Sequence, residues 1–326
     1  LGRLKVNNAT AMIQKEASPE SRWGFLAGAQ GGVDINGLVP SAAVGDAEDL
    51  KHLYYTNVSY LFPAGNGLTV TGGLIPGHIG YESFHAIDNP TYTRIYGVDY
   101  VPYFEWGVQA AYPFSDSFGG ALLVVNGYDY LASPNRVPSY GVQLTWRAAD
   151  NTGLRQNFYY GPEQGDTALE YWRFASNTIG QWNVGDFILV GSVGFGTEKQ
   201  ADVLGRYDWS WGALWMKWRP NKTWRLAVRP EFFRDSDGLM TGARQTIYAI
   251  TGSLEYRLSP IEMNVLSARL EYRFERSTGA DGGFYEGPDN VLVANQHLVI
   301  VSVMLLFDTA SRGRIGTRPE PVESAE

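Results

Sequence analysis

The feature that most constrains this chain is the alternation of apolar and polar residues with a period of two, which recurs along most of its length. The clearest run spans residues 267–275, where the odd positions are polar and mostly charged and the apolar positions are Ala268, Leu270, Tyr272 and Phe274. Successive side chains of a β-strand point to opposite faces, so this pattern predicts strands with one apolar and one polar face. The chain is therefore expected to be all-β.

Three further features favour a transmembrane barrel over a soluble β-sandwich. Aromatic residues lie towards the ends of the apolar faces, as Trp224 and Phe232 do, and the opposite faces carry Arg and Glu in runs. Connections alternate between short turns, such as 149–151 and 220–222, and long segments. Aromatic girdles, a polar interior and short turns opposite long loops are typical of outer-membrane barrels. We predict a transmembrane antiparallel β-barrel in the bacterial outer membrane, with short periplasmic turns and long extracellular loops.

The number of strands can be counted from the same alternation. Fourteen strands are predicted at roughly 22–34, 52–62, 67–75, 103–112, 118–128, 138–148, 152–160, 169–181, 186–196, 208–219, 223–233, 244–258, 263–275 and 295–307. A weaker strand at 4–14 precedes them. Bacterial barrels have even counts, so either residues 1–15 lie outside the wall and the count is fourteen, or an N-terminal strand is missing from the chain and the barrel has sixteen. We favour sixteen, with a barrel domain at 1–308 and a polar flexible tail at 309–326.

Several short motifs connect the chain to a known family. They are Gly80-Tyr81-Glu82, the run 89–94 (Asn-Pro-Thr-Tyr-Thr-Arg), the run 126–129 (Asn-Gly-Tyr-Asp), the run 161–164 (Gly-Pro-Glu-Gln) and the charged strand 229–238. Over roughly residues 4 to 307 the chain resembles the OmpL-like β-barrel porins known as porin-2. The resemblance implies an outer-membrane porin of Gram-negative bacteria, and the extra first strand usual in that family supports sixteen strands. The chain departs from the family pattern after Phe307, where a polar tail follows the terminal aromatic.

The richest charged surface is predicted on three consecutive strands. Parity places the following residues on the inward face: Arg225, Arg229, Glu231, Glu255, Arg257, Arg269, Glu271, Arg273 and Glu275. One hypothesis makes this charged wall a pore lining that sorts solutes by charge and size. The other is that these residues pair with one another across strands and stiffen the barrel. The sequence leaves both open.

The segment from Glu82 to Tyr100 is too long for a simple connection without a function of its own. It contains Asp88, Arg94 and Asp99. If it folds into the lumen, these charges would form a constriction facing the Arg side chains of the opposite wall. The alternatives are a surface loop or an additional hairpin.

Composition narrows the functional classes. The net charge of −8 disfavours nucleic acid as a partner, and the absence of Cys excludes thiolate chemistry. Ser83, His85 and Asp88 are the nearest approach to a catalytic set, and nothing in the sequence brings them together. We therefore predict no catalytic residues, metal or cofactor, and no enzymatic activity.

The predicted function is a porin that lets small hydrophilic solutes or ions diffuse through a water-filled lumen. An alternative is a structural barrel that acts as a sleeve or anchor for a partner protein, and an outer-membrane enzyme is a third, weaker alternative. The expected partners are outer-membrane lipid and small hydrophilic solutes, together with a homo-oligomer or a partner protein.

Overall fold

The structure, a computed structural model, describes residues 6–38, 47–128, 130–131, 135–201, 204–261, 264–286 and 291–308. The predicted tail at 309–326 lies outside these ranges. The strands are β1 (Ala9–Lys15), β2 (Trp23–Gly31), β3 (Leu53–Phe62), β4 (Leu68–Pro76), β5 (Phe104–Pro113), β6 (Phe118–Val125), β7 (Ser139–Ala149), β8 (Thr152–Gly161), β9 (Arg173–Val184), β10 (Phe187–Glu198), β11 (Tyr207–Trp218), β12 (Trp224–Asp235), β13 (Gln245–Ile261), β14 (Asn264–Ser277), β15 (Phe284–Glu286), β16 (Val291–Val293) and β17 (Asn295–Leu306).

Fifteen of these strands form one antiparallel sheet in sequence order, from β1 through β14 to β17. Each strand pairs with its neighbours along the chain, as expected of an up-and-down barrel. The fourteen-stranded alternative is wrong, because β1 pairs with β2 from Ala9↔Gly31 to Lys15↔Phe25. The alternating pattern of Ala9–Lys15 is enough to place this segment in the wall. The described chain thus contributes the fifteen strands that the sixteen-stranded prediction requires of it.

The outward face of the sheet is apolar and is bounded by aromatic residues at both ends. At the end with short turns, the exposed aromatic residues include Trp23, Phe62, Trp146, Trp182, Phe187, Trp218, Trp224 and Tyr256. At the end with long loops they include Tyr140, Tyr160, Phe195, Phe232, Tyr248 and Tyr272. Aliphatic side chains such as Leu122, Leu144, Ile250 and Leu270 lie between them. Two aromatic rows around an aliphatic band match the two interfaces and the hydrocarbon core of a bilayer.

The inward face surrounds a long excursion of the chain, residues 77–103, which we call the luminal segment. Its two ends meet directly after the last β4–β5 pair, since the Gly77 N–H donates to the Tyr103 carbonyl at 2.9 Å. From this root the segment reaches the inner faces of β8, β9 and β11 to β14, as the contacts below describe. Those strands lie far from β4 along the sheet, so the sheet curves round the segment as a barrel wall does.

The remaining elements are short. Helices α1 (Ile35–Leu38) and α2 (Tyr96–Asp99) and 3-10 turns at Ala47–His52, Ala86–Asp88 and Leu169–Tyr171 lie in the connections. The last of these turns delays the start of β9 to Arg173, whereas alternation alone predicts a start near 169. The hairpin β15–β16 was not predicted, because its three-residue strands are too short for a periodic pattern. No helix in the described part of the chain is both long and apolar enough to span a membrane.

Candidate functional site

The root of the luminal segment is held by a buried histidine and a buried glutamate. His78 Nδ1 lies 2.9 Å from a carboxylate oxygen of Glu105 on β5, and the His78 backbone N–H donates to the same carboxylate. His78 Nε2 lies 2.9 Å from the Phe158 carbonyl oxygen on β8. The His78 ring therefore bridges the Glu105 carboxylate and the Phe158 carbonyl, and it joins the start of the segment to two strands at once.

The segment then crosses the lumen on polar contacts to β8, β9 and β11. The Gly80 N–H donates to the Asn177 side chain at 3.0 Å, and Arg155 Nη2 donates to the Gly80 carbonyl at 3.1 Å. Lys217 Nζ donates to the Tyr81 hydroxyl at 2.7 Å. Backbone groups outside regular structure need such partners when they are buried, and the inward face of the wall provides them.

Arg229 on β12 is the centre of the anchoring network, and its side chain is fully buried. Its Nη1 lies 2.8 Å from Glu82 Oε1 in the segment, and its Nε lies 2.9 Å from Glu231 Oε2 on its own strand. Its remaining N–H groups donate to oxygens of the segment and of β13, namely Thr91, Thr93, Arg94 and Thr251. A buried charge is tolerated only when it is paired and hydrogen-bonded in this way.

On the luminal segment, Glu82 is the carboxylate that pairs with Arg229 and accepts further hydrogen bonds. Besides Arg229 it accepts the Ile95 N–H at 2.7 Å and the Trp215 indole N–H at 3.0 Å. The charge of a buried carboxylate is stabilised by several donors at once. Sequence analysis names Glu82 as the first residue of the long segment and as part of the motif Gly80-Tyr81-Glu82, but it does not predict this anchoring role.

Two further pairs of the charged wall anchor the middle of the segment. Arg273 on β14 makes a bidentate pair with Glu231, with N–O distances of 3.0 and 3.2 Å, and its Nε lies 2.6 Å from Glu275. It also donates to the Arg94 carbonyl at 3.0 Å. Glu271 accepts the backbone N–H groups of Tyr92 and Thr93. The wall therefore grips the backbone of the segment more than its charged side chains.

Of the arginines on the charged wall that contact the segment, Arg269 is the one nearest to the short turns. Its two terminal nitrogens donate to the carbonyls of Ala86 and Asn89 at 3.0 and 2.9 Å, and one of them also lies 3.2 Å from Glu255 on β13. Below this level, towards the short turns, Arg225 and Arg257 complete the predicted charged wall. Both are only half-buried, whereas the other seven are buried.

The predicted constriction residues are arranged differently from the sequence-based hypothesis. The segment does lie in the lumen, but the Arg94 guanidinium does not face the opposite wall. Its Nε lies 3.1 Å from Asp99 Oδ1 within the segment, and its Nη1 donates to the Phe84 carbonyl. Only its backbone carbonyl meets Arg229 and Arg273. Asp88 ends the 3-10 turn Ala86–Asp88. The alternation of residues predicts which face of a strand a side chain lies on. It does not predict whether an irregular segment contacts the wall through its side chains or through its backbone.

Apolar packing seals the space between the segment and the wall. Ile79, Ile95, Val98 and Val101 of the segment are buried together with three inward-facing tryptophans of β11, Trp209, Trp211 and Trp215. Gly97 is essential to this fit, because a Cβ at that position would lie 2.2 Å from the Trp211 ring. The lumen is therefore occupied at mid-height by a packed core.

Towards the short turns, the wall formed by β4 to β7 is concave. A recess of about 280 Å³ is lined there by the inward-facing side chains of Thr69, Gln109, Gln143 and Thr145, together with small residues of β5 and β6. Neutral polar side chains of this kind keep a wall wet without selecting for charge.

A separate buried cluster lies at the loop end of β8. Glu163, just after β8, accepts the Tyr128 N–H at 2.9 Å and the hydroxyl of Tyr159. Burial raises the pKa of Glu163 to about 7, and the nearby Arg173 limits the increase. The Arg173 guanidinium lies 4.7 Å from the Tyr128 ring centroid, which completes the cluster.

Comparisons with known proteins agree with this architecture. Residues 2–307 match the family model described as "Putative beta-barrel porin-2, OmpL-like". The fold is similar to the outer membrane channel DcaP of Acinetobacter baumannii, with a TM-score of 0.58 at 9% identity over 93% of this chain and 85% of the other. It is also similar to a trimer form of OmpT of Vibrio cholerae (0.55, 10% identity, 92% and 90%) and to an anion-selective porin from Comamonas acidovorans (0.53, 12%, 92% and 89%). No curated protein sequence matches the chain.

Proposed function

The chain belongs to the OmpL-like β-barrel porin-2 family of the bacterial outer membrane, and from this premise we propose that it is a porin whose passage is set by the luminal segment. Small hydrophilic solutes and ions diffuse through the lumen without any chemical step. Barrels of sixteen to eighteen strands leave an aqueous channel unless something fills it. In this chain the segment 77–103 fills part of the lumen, so it determines what passes.

The observation that supports this proposal is the way the segment is anchored. It is held at its root by His78 and Glu105 and across the lumen by Glu82 with Arg229. A segment tied to opposite sides of a barrel narrows the lumen to a defined cross-section, whereas a surface loop would leave it open. In this proposal the charged wall carries both roles considered for it: its buried part supports the constriction, and its half-buried part faces the passing solute.

The expected partners follow from the surfaces of the barrel. The apolar outward face with its two aromatic rows contacts outer-membrane lipid. A homo-oligomer is supported by the likeness to OmpT, of which a trimer form is known. We propose no nucleic-acid partner, because the net charge is −8, and no enzymatic activity, because a porin lets its solutes pass without a chemical step.

Single-channel recording tests this function directly. Purified protein in a planar bilayer should give discrete open steps in potassium chloride. The variant Glu82→Gln weakens the contact with Arg229 and should raise the conductance of each step. Thr69→Ser changes a side chain of the open recess while keeping its hydroxyl, and should leave the conductance unchanged.

One feature keeps the sleeve hypothesis as a second candidate, namely the packed core at mid-lumen. A barrel that serves as a sleeve or anchor would stay electrically silent in both the wild-type protein and Glu82→Gln, and would co-purify with a stoichiometric partner. Persistent silence of correctly folded protein would therefore reject the porin.

A further inference from the structure

The recess in the wall of β4 to β7 owes its shape to small inward-facing residues. Ala111 on β5 pairs with Ala121 on β6, and Pro113 pairs with Gly119 two positions closer to the turn. All four line the recess of about 280 Å³. Because these side chains are short, the surface of β5 and β6 lies deeper than that of its neighbours. The recess is therefore built into the sequence of two adjacent strands.

Polar side chains stand beside this floor. Gln109 lies on β5, two positions from Ala111, and is exposed. Thr145 on β7 pairs with Gly119 on the other side of the floor. Within the described part of the chain, the side chains of Gln109 and Thr145 make no hydrogen bond. An amide and a hydroxyl are therefore available to a bound molecule.

None of the described residues that line the recess is charged. Arg155, the cross-strand neighbour of Thr145, is buried, and its Nη2 donates to the Gly80 carbonyl at 3.1 Å. An ion in the recess would give up part of its hydration without meeting an opposite charge, which is costly. A neutral molecule only exchanges hydrogen bonds with water for bonds with amide and hydroxyl groups. The recess therefore favours uncharged polar molecules over ions of either sign.

The recess also adjoins the root of the luminal segment. Gln143 on β7 pairs with Ala121 and lines the recess. Its Nε2 donates to the carbonyl of His78, the second residue of the segment, at 3.2 Å. Its side-chain oxygen adds an acceptor to the polar groups of the recess. A molecule bound here lies on the short-turn side of the constriction.

We propose that Gln109, Gln143 and Thr145 form a binding site for small uncharged polyhydroxylated solutes, such as monosaccharides and polyols. The proposal rests on the porin function and names its substrate class. A few polar groups on a concave surface are the usual make-up of a small-molecule site. Hydrogen bonds to neutral groups contribute little net free energy, so the solute binds weakly and leaves again, as passage through a channel requires.

Binding is tested by saturation-transfer NMR on the detergent-solubilised protein, which detects weak ligands and needs no conduction. The probes are glucose, glucuronate and protonated glucosamine, which differ mainly in charge. Glucose should receive several-fold more saturation than either ion, and Gln109→Leu/Thr145→Val should lose most of this signal. The matched control is Gln156→Leu, which makes the same change on the outward face of β8, opposite Leu144, and should keep the signal.

Folding of each variant is checked by its heat-dependent gel mobility. If the double variant does not fold, Gln109→Leu alone takes its place, with a smaller expected loss. A glucose signal that survives these substitutions in folded protein would overturn the site, and so would a stronger signal for either ion.

Passage is measured by the swelling of proteoliposomes in the same three solutes. Glucose should enter fastest through the wild-type protein. Gln109→Glu should shift the preference towards glucosamine, because a carboxylate attracts the cation. Equal rates for all three solutes without a glucose signal in NMR would overturn the site and leave the porin standing. A protein that shows the glucose signal and loses it in the double variant, but admits none of the solutes, would overturn the porin and leave the site.

Discussion

Arg229 and Arg225 lie four positions apart on the same inward face of the same strand, and their surroundings differ completely. Arg229 is fully buried under the luminal segment and makes ion pairs with Glu82 and Glu231. Arg225 is half-buried below the segment, next to other arginines. In the proposed function, the same residue type therefore supports the constriction in one region and faces the passage in the other. What separates the two roles is depth relative to the segment, a property of tertiary structure.

Removal of the buried Arg229 guanidinium tests the difference between the two arginines most strongly. Arg229→Met keeps much of the side-chain length and leaves Glu82 without its main cationic partner. Removing one partner of a buried ion pair typically costs about 3–5 kcal/mol, so the unfolding midpoint should fall strongly. The released segment should also raise single-channel conductance. The midpoint can be followed by the heat-dependent gel mobility of the folded barrel.

Arg229→Met would contradict the anchoring role if it unfolded at the wild-type temperature and conducted like the wild-type protein. Glu82→Gln offers a milder version on the other side of the pair, because the amide still fits the space. Its destabilisation should be smaller and in the same direction. Opposite signs for the two variants would mean that Glu82 and Arg229 do not act as a pair.

The apolar side of the anchoring can be tested at a glycine. Gly97→Ala places a methyl group 2.2 Å from the Trp211 ring, so α2 or the indole must shift. Overpacking of this kind usually costs about 1–3 kcal/mol, and the displaced segment should alter the conductance. Gly191→Ala on β10 is the control, because a Cβ there meets nothing within 4 Å. Equal stability of the two variants would show that the segment does not pack tightly against β11.

Local features of the fold and of the candidate site could be predicted from the sequence, whereas contacts between distant parts of the chain could not. Strand alternation correctly placed Arg229 and Arg225 on the inward face, because the period of two is a local property. The role of Glu82 could not be found in this way, because its partners lie on β11 and β12 and reach it across the lumen. The pairing of His78 with Glu105 was missed for the same reason. The segment is also gripped through backbone groups, as Glu271 grips Tyr92 and Thr93, and no residue pattern identifies these.

Glu163 extends the comparison to a buried carboxyl outside the lumen core. Its pKa is raised to about 7 in the folded protein, from 4.5 in the free side chain. A raised pKa means that the stabilising contribution is complete below about pH 4.5 and is lost as the pH rises towards 7. The free energy of unfolding of the wild-type protein should therefore fall over this range relative to that of Glu163→Gln, by about 3 kcal/mol. Parallel pH profiles for the two proteins would show that Glu163 does not titrate there.

The smallest effect on stability is expected for Arg225→Met, which is the counterpart of Arg229→Met, the variant with the largest expected effect. Arg225→Met makes the same chemical change as Arg229→Met on the same strand, but it removes a charge that Arg257 and Arg219 repel. The relief of this repulsion offsets the lost contact with Glu255. The free energy of unfolding should therefore stay within about 1 kcal/mol of the wild-type value or rise slightly. A loss as large as that of Arg229→Met would mean that Arg225 is also an anchor, and that the charged wall has one role along its whole height. A neutral Arg225→Met with a changed reversal potential would assign the lower arginines to the passage and the upper ones to the constriction.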